Sequence, residues 1–384
     1  DRHALWTGPG KPGSMKVQAA FGIEEETPVD ERLRHILSKL LAMALATALI
    51  AGCAKKAETD GRTAAAAKPG TVKAAMVTDV GGLGDRSFND LSYAGLQQAQ
   101  AEFGVQIKVL ESREIADYAS NIDQLAHAGY SPIFTVGFLM QDALAREAPN
   151  YPDTRFGAID EYFESPPSNV VGILFKEQEA GYLAGVLAGL ATRSNFDPRL
   201  NPEKVVGFVG GMDIPPVERY EVGFVAGVKS VDPETRVLVL YAGKFDDMAK
   251  GKEIGLSLID QKADIIFAAA GQSGLGTIKA CQERGALFIG VDADQYETVT
   301  GSGDVMLTSA IKRLDVAVYN TVKSVVDGTW SGGHSRFYGI QDEAVGLAPY
   351  HDFEARVPQE IKDAVAKVSA DIVSGAVVVP DSRS

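Results

Sequence analysis

From Thr71 onward the chain alternates two hydrophobic rhythms. Short apolar runs rich in β-branched residues are followed by stretches whose apolar positions recur at helical spacing, and glycines or prolines mark the breaks. The first rhythm predicts strands over Val72–Thr78, Gln106–Leu110, Pro132–Val136, Thr154–Ile159 and Val170–Leu174. The second predicts helices between them, over Phe88–Phe103, Tyr118–Ala128 and Leu139–Ala148. A second series follows, with strands Val205–Val209, Val237–Tyr241, Ile265–Ala269 and Leu287–Val291. Its helices are Val217–Val231, Met248–Gln261 and Thr277–Arg284. Alternation of this kind predicts an α/β protein with parallel sheets covered on both faces, here in two lobes of like design.

Glu177–Ala191 lies between the two series and is rich in glycine and alanine, so its helix can approach a neighbour closely. The tail contributes a helix over Leu314–Val326, a segment Phe337–Ala344 and a last helix over Pro358–Val373. A tail this long re-crosses between lobes and makes both discontinuous. The expected division is residues 72–174 with about 310–335 for the N-terminal lobe, and 175–309 with about 336–384 for the C-terminal lobe.

The first 52 residues read as an extension plus a signal peptide. Arg32, Arg34, His35 and Lys39 precede an apolar run from Leu40 to Ile50, which ends in Ile50-Ala51-Gly52-Cys53. That run is too short for the ~20 residues of a membrane-spanning helix. A single cysteine directly after Ala-Gly resembles a bacterial lipobox, which marks Cys53 as the lipidated N-terminus of the mature chain. Residues 53–71 are a run of Ala, Lys, Thr, Gly and Asp without apolar periodicity and read as a flexible tether. Asp1–Glu31, with Gly8-Pro9-Gly10-Lys11-Pro12-Gly13-Ser14 before Met15, is not a normal leader and adds nothing to the fold pattern.

Composition narrows the function. The chain has 384 residues, with 37 Lys plus Arg against 51 Asp plus Glu, a net charge of −14. Residues 1–52 carry equal numbers of acids and bases, so the part after them keeps the whole excess. That acidity argues against nucleic acid as a partner, because phosphate binding needs a concentrated basic surface. Two cysteines, Cys53 and Cys281, make neither a disulfide framework nor a cysteine zinc site, and no H-E-x-x-H pair occurs. No cofactor and no metal are expected.

Ligands of open α/β sheets sit at the carboxyl ends of strands. After the first strand comes Thr78-Asp79-Val80-Gly81-Gly82-Leu83-Gly84-Asp85-Arg86-Ser87-Phe88-Asn89, where Ser87 suits a helix N-cap. Phe88 offers a ring face beside the Asn89 amide, which both donates and accepts, a pairing suited to a heterocycle. The fourth strand ends at Asp160. In the second lobe Tyr220 stands near a helix start, Lys244-Phe245-Asp246-Asp247 offers a carboxylate, and Gly271–Gly276 and Asp292 follow further strands, with Lys312 just beyond Thr308-Ser309. Gly274-Leu275-Gly276-Thr277-Ile278-Lys279 matches the dinucleotide fingerprint poorly, and Asp at each strand end would repel phosphate. Carboxylates, amides and aromatics suit an uncharged, donor-rich ligand such as a nucleoside or a sugar. No Ser-His-Asp or Cys-His set appears, although a carboxylate pair for glycoside cleavage stays open by spacing, and Asp79 and Asp85 are the candidates for the water-activating group a nucleoside-cleaving enzyme would need.

These segments together resemble the basic membrane protein family of substrate-binding lipoproteins, and within it the purine-nucleoside receptor type. The matching stretches are Thr78–Asn89, Tyr151–Phe156 leading to Asp160, Gly207–Pro215, Ala263–Phe267 with Ala269–Gly274, and Gly290–Gln295, besides the lipobox. The resemblance implies a type I periplasmic-binding-protein fold, two Rossmann-like lobes joined by a hinge of several crossings. It implies a lipid-anchored, monomeric, non-enzymatic receptor on the outer face of the membrane that delivers guanosine, inosine or adenosine to an ABC permease. By the same resemblance Phe88 stacks on the base, Asn89 and Asp160 read its edge, and Asp246, Gly271, Asp292 and Lys312 hold the ribose. The second stacking ring falls at Tyr220, with Phe208 as its rival. A receptor for a sugar or another small solute is the alternative, and a nucleoside-cleaving enzyme or a cytosolic regulator of like fold stands further off.

Overall fold

The computed structural model describes residues 72–383; the signal, Cys53 and the tether lie outside the described residues. The first series runs β1 (Lys73–Val77), α1 (Phe88–Phe103), β2 (Gln106–Leu110), α2 (Asp117–His127), β3 (Ile133–Val136), α3 (Gln141–Glu147), β4 (Phe156–Ile159) and β5 (Val170–Phe175). The second runs α4 (Glu177–Ala191), β6 (Val205–Gly210), α5 (Pro215–Val231), β7 (Arg236–Tyr241), α6 (Met248–Asp260) and β8 (Ala263–Ala269). It continues through α7 (Gly271–Arg284), β9 (Leu287–Asp292), α8 (Gln295–Thr298) and β10 (Met306–Lys312). The tail adds α9 (Leu314–Val326), β11 (His334–Tyr338), β12 (Val345–Leu347) and α10 (Gln359–Val373).

Two six-stranded sheets result, in the orders β11-β5-β4-β3-β1-β2 and β12-β10-β9-β8-β6-β7. Central strands such as β3, β4, β8 and β9 are buried along their whole length, which is why they read as mainly apolar runs without alternation. Every pairing is parallel except that of β12 with β10. The exception departs from an all-parallel expectation for a geometric reason. The chain returns to the second sheet at the cleft, with Val345 opposite Lys312, and from there it can only run away from the cleft. The chain passes between the sheets three times, after β5, after β10 and after β11.

Helix α4 packs directly on α5. A Cβ on Gly185 would strike the Phe224 carbonyl, and one on Gly223 the Gln178 carbonyl, so the backbones meet where only glycine fits. The glycine-rich run therefore serves the close helix packing expected of it.

Besides the short α8, which the apolar pattern did not predict, three segments differ from the pattern. Helix α7 begins at Gly271 and not at Thr277, because Gly276 lets its first turns lie against the Met248 carbonyl of α6. Tertiary contact here overrides the low helix propensity of glycine. Strand β10 was not expected, since Thr308, Ser309 and Lys312 interrupt its apolar run, yet all three are buried. Where Phe337–Ala344 stood as one segment, β11 ends at Tyr338 and a short turn leads to β12.

Candidate functional site

The carboxyl ends of both sheets face one cavity. Its lining includes Asp79, Asp85, Phe88, Asn89 and Asp160 from the first lobe, and Tyr220, Phe245, Gly271, Asp292 and Lys312 from the second. Apolar walls come from Phe138, Leu139, Ile214 and Val217.

On the first-lobe side, the loop after β1 builds a small carboxylate frame. Asp79 Oδ1 accepts from the Gly81 amide and from Asn89 Nδ2, each at 2.8 Å. Asp85 Oδ2 accepts from the Asn89 amide at 2.8 Å and from Asn89 Nδ2 at 3.1 Å, while its other oxygen takes the Ser87 and Asp90 amides. Asp85 thus caps α1, the part that Ser87 was expected to play; the Ser87 hydroxyl makes no capping bond. A carboxyl group, with two acceptor oxygens, reaches more of the free amides at the helix N-terminus than a single hydroxyl does. With both Asn89 amide hydrogens taken, its Oδ1 is buried and without a partner.

The floor between the lobes is an ionic cluster. Lys312 Nζ donates to Asp160 Oδ2 at 2.6 Å and to Glu177 Oε1 at 2.8 Å, and Arg219 Nε donates to Glu177 Oε2 at 2.6 Å. Lys312 also lies 5.2 Å from the Phe88 ring centroid and 5.0 Å from that of Phe175. The second oxygen of Asp160, Oδ1, is buried and unpartnered. Tyr220 donates its hydroxyl to Asp292 Oδ1 at 3.1 Å, and its ring packs edge-on against Phe267 at 5.6 Å.

Burial raises four of these carboxyls: Asp79 and Asp292 to about 7, and Asp85 and Asp160 in the same direction, the last despite Lys312. Burial would also raise Glu177, but Lys312 and Arg219 outweigh it and hold that carboxyl low. For Lys312 burial opposes the charge, and Asp160, Glu177 and Asp292 together more than restore it. The Tyr220 phenol is pushed far up by burial and by Asp292, so it stays a donor.

Seven of the eight positions named from sequence line this cavity: Phe88, Asn89, Asp160, Tyr220, Gly271, Asp292 and Lys312. Asp246 does not; it is exposed, while its neighbour Phe245 turns inward and Asp247 caps α6 by accepting from the Lys250 amide at 2.8 Å. Phe208 is fully buried among Phe224, Tyr241 and Phe267, outside the lining. Sequence reasoning passed over Phe245 as a ring. Its signal was the glycines around it, since a Cβ on Gly211 would strike its ring. Glu177 was missed too, because a glutamate opening a helix reads as dipole complement. Among the described residues no group of three or more His, Cys, Asp or Glu is placed to hold a metal ion, and no helix is long and apolar enough to cross a membrane.

Two sheets, three crossings and a shared cleft define the type I periplasmic-binding-protein fold. The chain belongs to the family described as ABC transporter substrate-binding protein PnrA-like, whose model matches residues 72–383. It is 33% identical over 358 residues to the ABC transporter nucleoside-binding protein BmpA of Lactococcus lactis, covering 88% of this chain and 97% of that protein. It is 35% identical over 320 residues to an uncharacterized lipoprotein of Pyrococcus abyssi, covering 79% of this chain and 74% of that one. The crystal structure of an ABC transporter solute-binding protein from Aeropyrum pernix superimposes with a TM-score of 0.72 at 28% identity, over 80% of this chain and 94% of that one. The family is thus one of solute-binding components of ABC transporters.

Proposed function

We propose that the cleft binds purine nucleosides and that the protein, anchored through an acylated Cys53 on the outer face of the membrane, hands them to an ABC permease without altering them. One observation carries this reading. Asn89 Oδ1 and Asp160 Oδ1 are buried, unpartnered acceptors in one cavity beside the half-buried ring of Phe88. An orphaned buried acceptor costs about 1–3 kcal/mol, so the site favours a flat ligand that carries N–H donors on its edge.

In this reading Phe88 stacks on the base, and Asn89 and Asp160 take its donors. Phe245 and Tyr220 close the second face. Asp292, Gly271 and Lys312 hold the ribose: two of the three ammonium hydrogens of Lys312 are used within the protein, which leaves one for a sugar oxygen. The four carboxyls that line the cavity against one lysine disfavour a phosphate. The relative from Lactococcus lactis, named as nucleoside-binding, supports the choice of ligand. Stacking contributes about 1–3 kcal/mol per base, and each charge-assisted hydrogen bond about 1.5–3 kcal/mol. Together these reach the roughly −8 kcal/mol of micromolar binding after the cost of ordering.

Isothermal titration with guanosine, inosine, adenosine and ribose tests the reading. Saturable heat from at least one nucleoside, with none from ribose, is expected. Heat from ribose alone would move the assignment to a sugar receptor, and release of free base on incubation would make the protein an enzyme.

A further inference from the structure

The loop from Asp79 to Ser87 leads into Phe88 and Asn89, and its backbone amides are held by Asp79 and Asp85 within it and by Asp90, Glu111 and Tyr118 beside it. Besides the bonds from Asp79 and Asp85, Asp90 Oδ1 accepts from the Gly84 amide at 2.8 Å. Two backbone carbonyls of this loop are met by side chains of the opposite lobe. Gly81 O accepts from Gln272 Nε2 at 2.8 Å, and Arg86 O accepts from Thr298 Oγ1 at 2.8 Å. None of Gln272, Thr298 and Arg86 lines the cavity.

Each donor is tied to a residue on the ligand side. Gln272 follows Gly271 in the first turn of α7. Thr298 ends α8, a four-residue helix that starts just after Asp292. So short a helix holds its place only if braced. Asp294 accepts from the Tyr296 amide at 3.3 Å and bonds His351 Nε2 at 2.6 Å, while the Tyr296 and His351 rings stack at 4.0 Å with planes 6° apart.

We propose that Gln272 and Thr298 are positioning residues that latch the lobes together at the rim of the cleft and set the rate of solute release. Both bonds are neutral and both acceptors are main-chain carbonyls, so the latch works regardless of which solute is held. In an open cleft the same groups bond to water, and a neutral hydrogen bond gained in exchange for water slows release only roughly two- to tenfold. Two such bonds delay opening while leaving it reversible, as delivery to a permease requires. The latch seizes the loop that presents Phe88 and Asn89, so closure and the alignment of those residues occur together.

The test uses the full chain with a nucleoside as probe and therefore rests in part on the proposed ligand, so a second measurement is made without any ligand. The Gln272→Met/Thr298→Val double variant keeps size and loses both donors; Thr298→Ser keeps the hydroxyl. In stopped-flow binding the double variant should release nucleoside about tenfold faster, with association within about twofold, and Thr298→Ser should match the parent. In ligand-free hydrogen exchange, peptides covering Gly81–Asn89 should exchange severalfold faster in the double variant and at the parental rate in Thr298→Ser. Parental exchange in the double variant would overturn the latch. Should the parent bind no nucleoside, that result sinks the ligand reading alone, and the exchange comparison still decides the latch.

Discussion

Asp160 and Asp292 end the fourth strand of their respective lobes, and both adopt φ of +61°, in the left-handed region that side chains other than glycine seldom enter. Strain repeated at equivalent places points to a shared purpose, the aiming of a carboxylate into the cleft. Asp160→Asn should weaken nucleoside binding tenfold or more by titration calorimetry, because it removes both a charged acceptor and a partner of Lys312. The raised carboxyls make a second expectation. Asp79 stands at about 7 against an ordinary 3.8, so from about pH 4 to pH 7 the folded chain holds a proton that the unfolded chain has released. Stability therefore falls as pH rises through that window and levels off above it. Asp79→Asn removes this burden. Urea unfolding of the ligand-free variant should show a gain on the order of 1–3 kcal/mol over the parent at pH 8, and little difference at pH 4.5. An equal effect at both pH values would mean that burial of this carboxyl is not its cause. The chemistry of these residue types was legible in sequence, while the pairing of Asp160 with Lys312 across 152 positions was not.

At the scale of elements, α4 and α5 determine where the second lobe's side chains stand. Helix α4 begins with Glu177, which holds Lys312 and Arg219, and α5 carries Tyr220 and Val217 into the cavity wall. Gly185→Val would wedge the two backbones apart at the Phe224 carbonyl. A loss of about 1–3 kcal/mol in urea unfolding is expected, together with weaker ligand binding because Tyr220 shifts. Unchanged stability would show that the helices part without cost. Helical periodicity located α1 and α9 at their observed bounds, and α4, buried almost all round, was legible from its run of glycine and alanine. Periodicity failed at α7 and β10. There the outcome depends on a neighbour, the α6 backbone that admits Gly276 and the carboxylates that allow Lys312 to be buried.

For the molecule as a whole, the three crossings between sheets place Lys312 at one end of a passage and Glu177 at the start of another, so the ion cluster lies on the hinge itself. In the proposed latch, the lobes turn about this cluster as the rim bonds from Gln272 and Thr298 open. The proposed lipid anchor belongs to this scale too. If Cys53 carries the anchor, Cys53→Ser should release the protein from the membrane fraction and abolish incorporation of labelled fatty acid; no labelling of the parent, or unchanged fractionation of the variant, would overturn that reading. The double variant Phe88→Ala/Phe245→Ala should lose nucleoside binding by calorimetry while keeping the unfolding midpoint of the parent within a few degrees, since both rings are only half-buried.

Sequence alone determined the alternation of strands and helices, the two-lobed design, the acidic character and several of the polar and aromatic residues of the cleft. These rest on local rules: apolar periodicity, breaks at glycine and proline, and the tendency of ligands to meet strand ends. Tertiary structure decided the rest. It turned Phe245 inward and Asp246 outward, gave Asp85 the capping of α1, and left two buried acceptors open beside Phe88. Such outcomes depend on which distant groups share a small space without water, and no stretch of chain holds that information by itself.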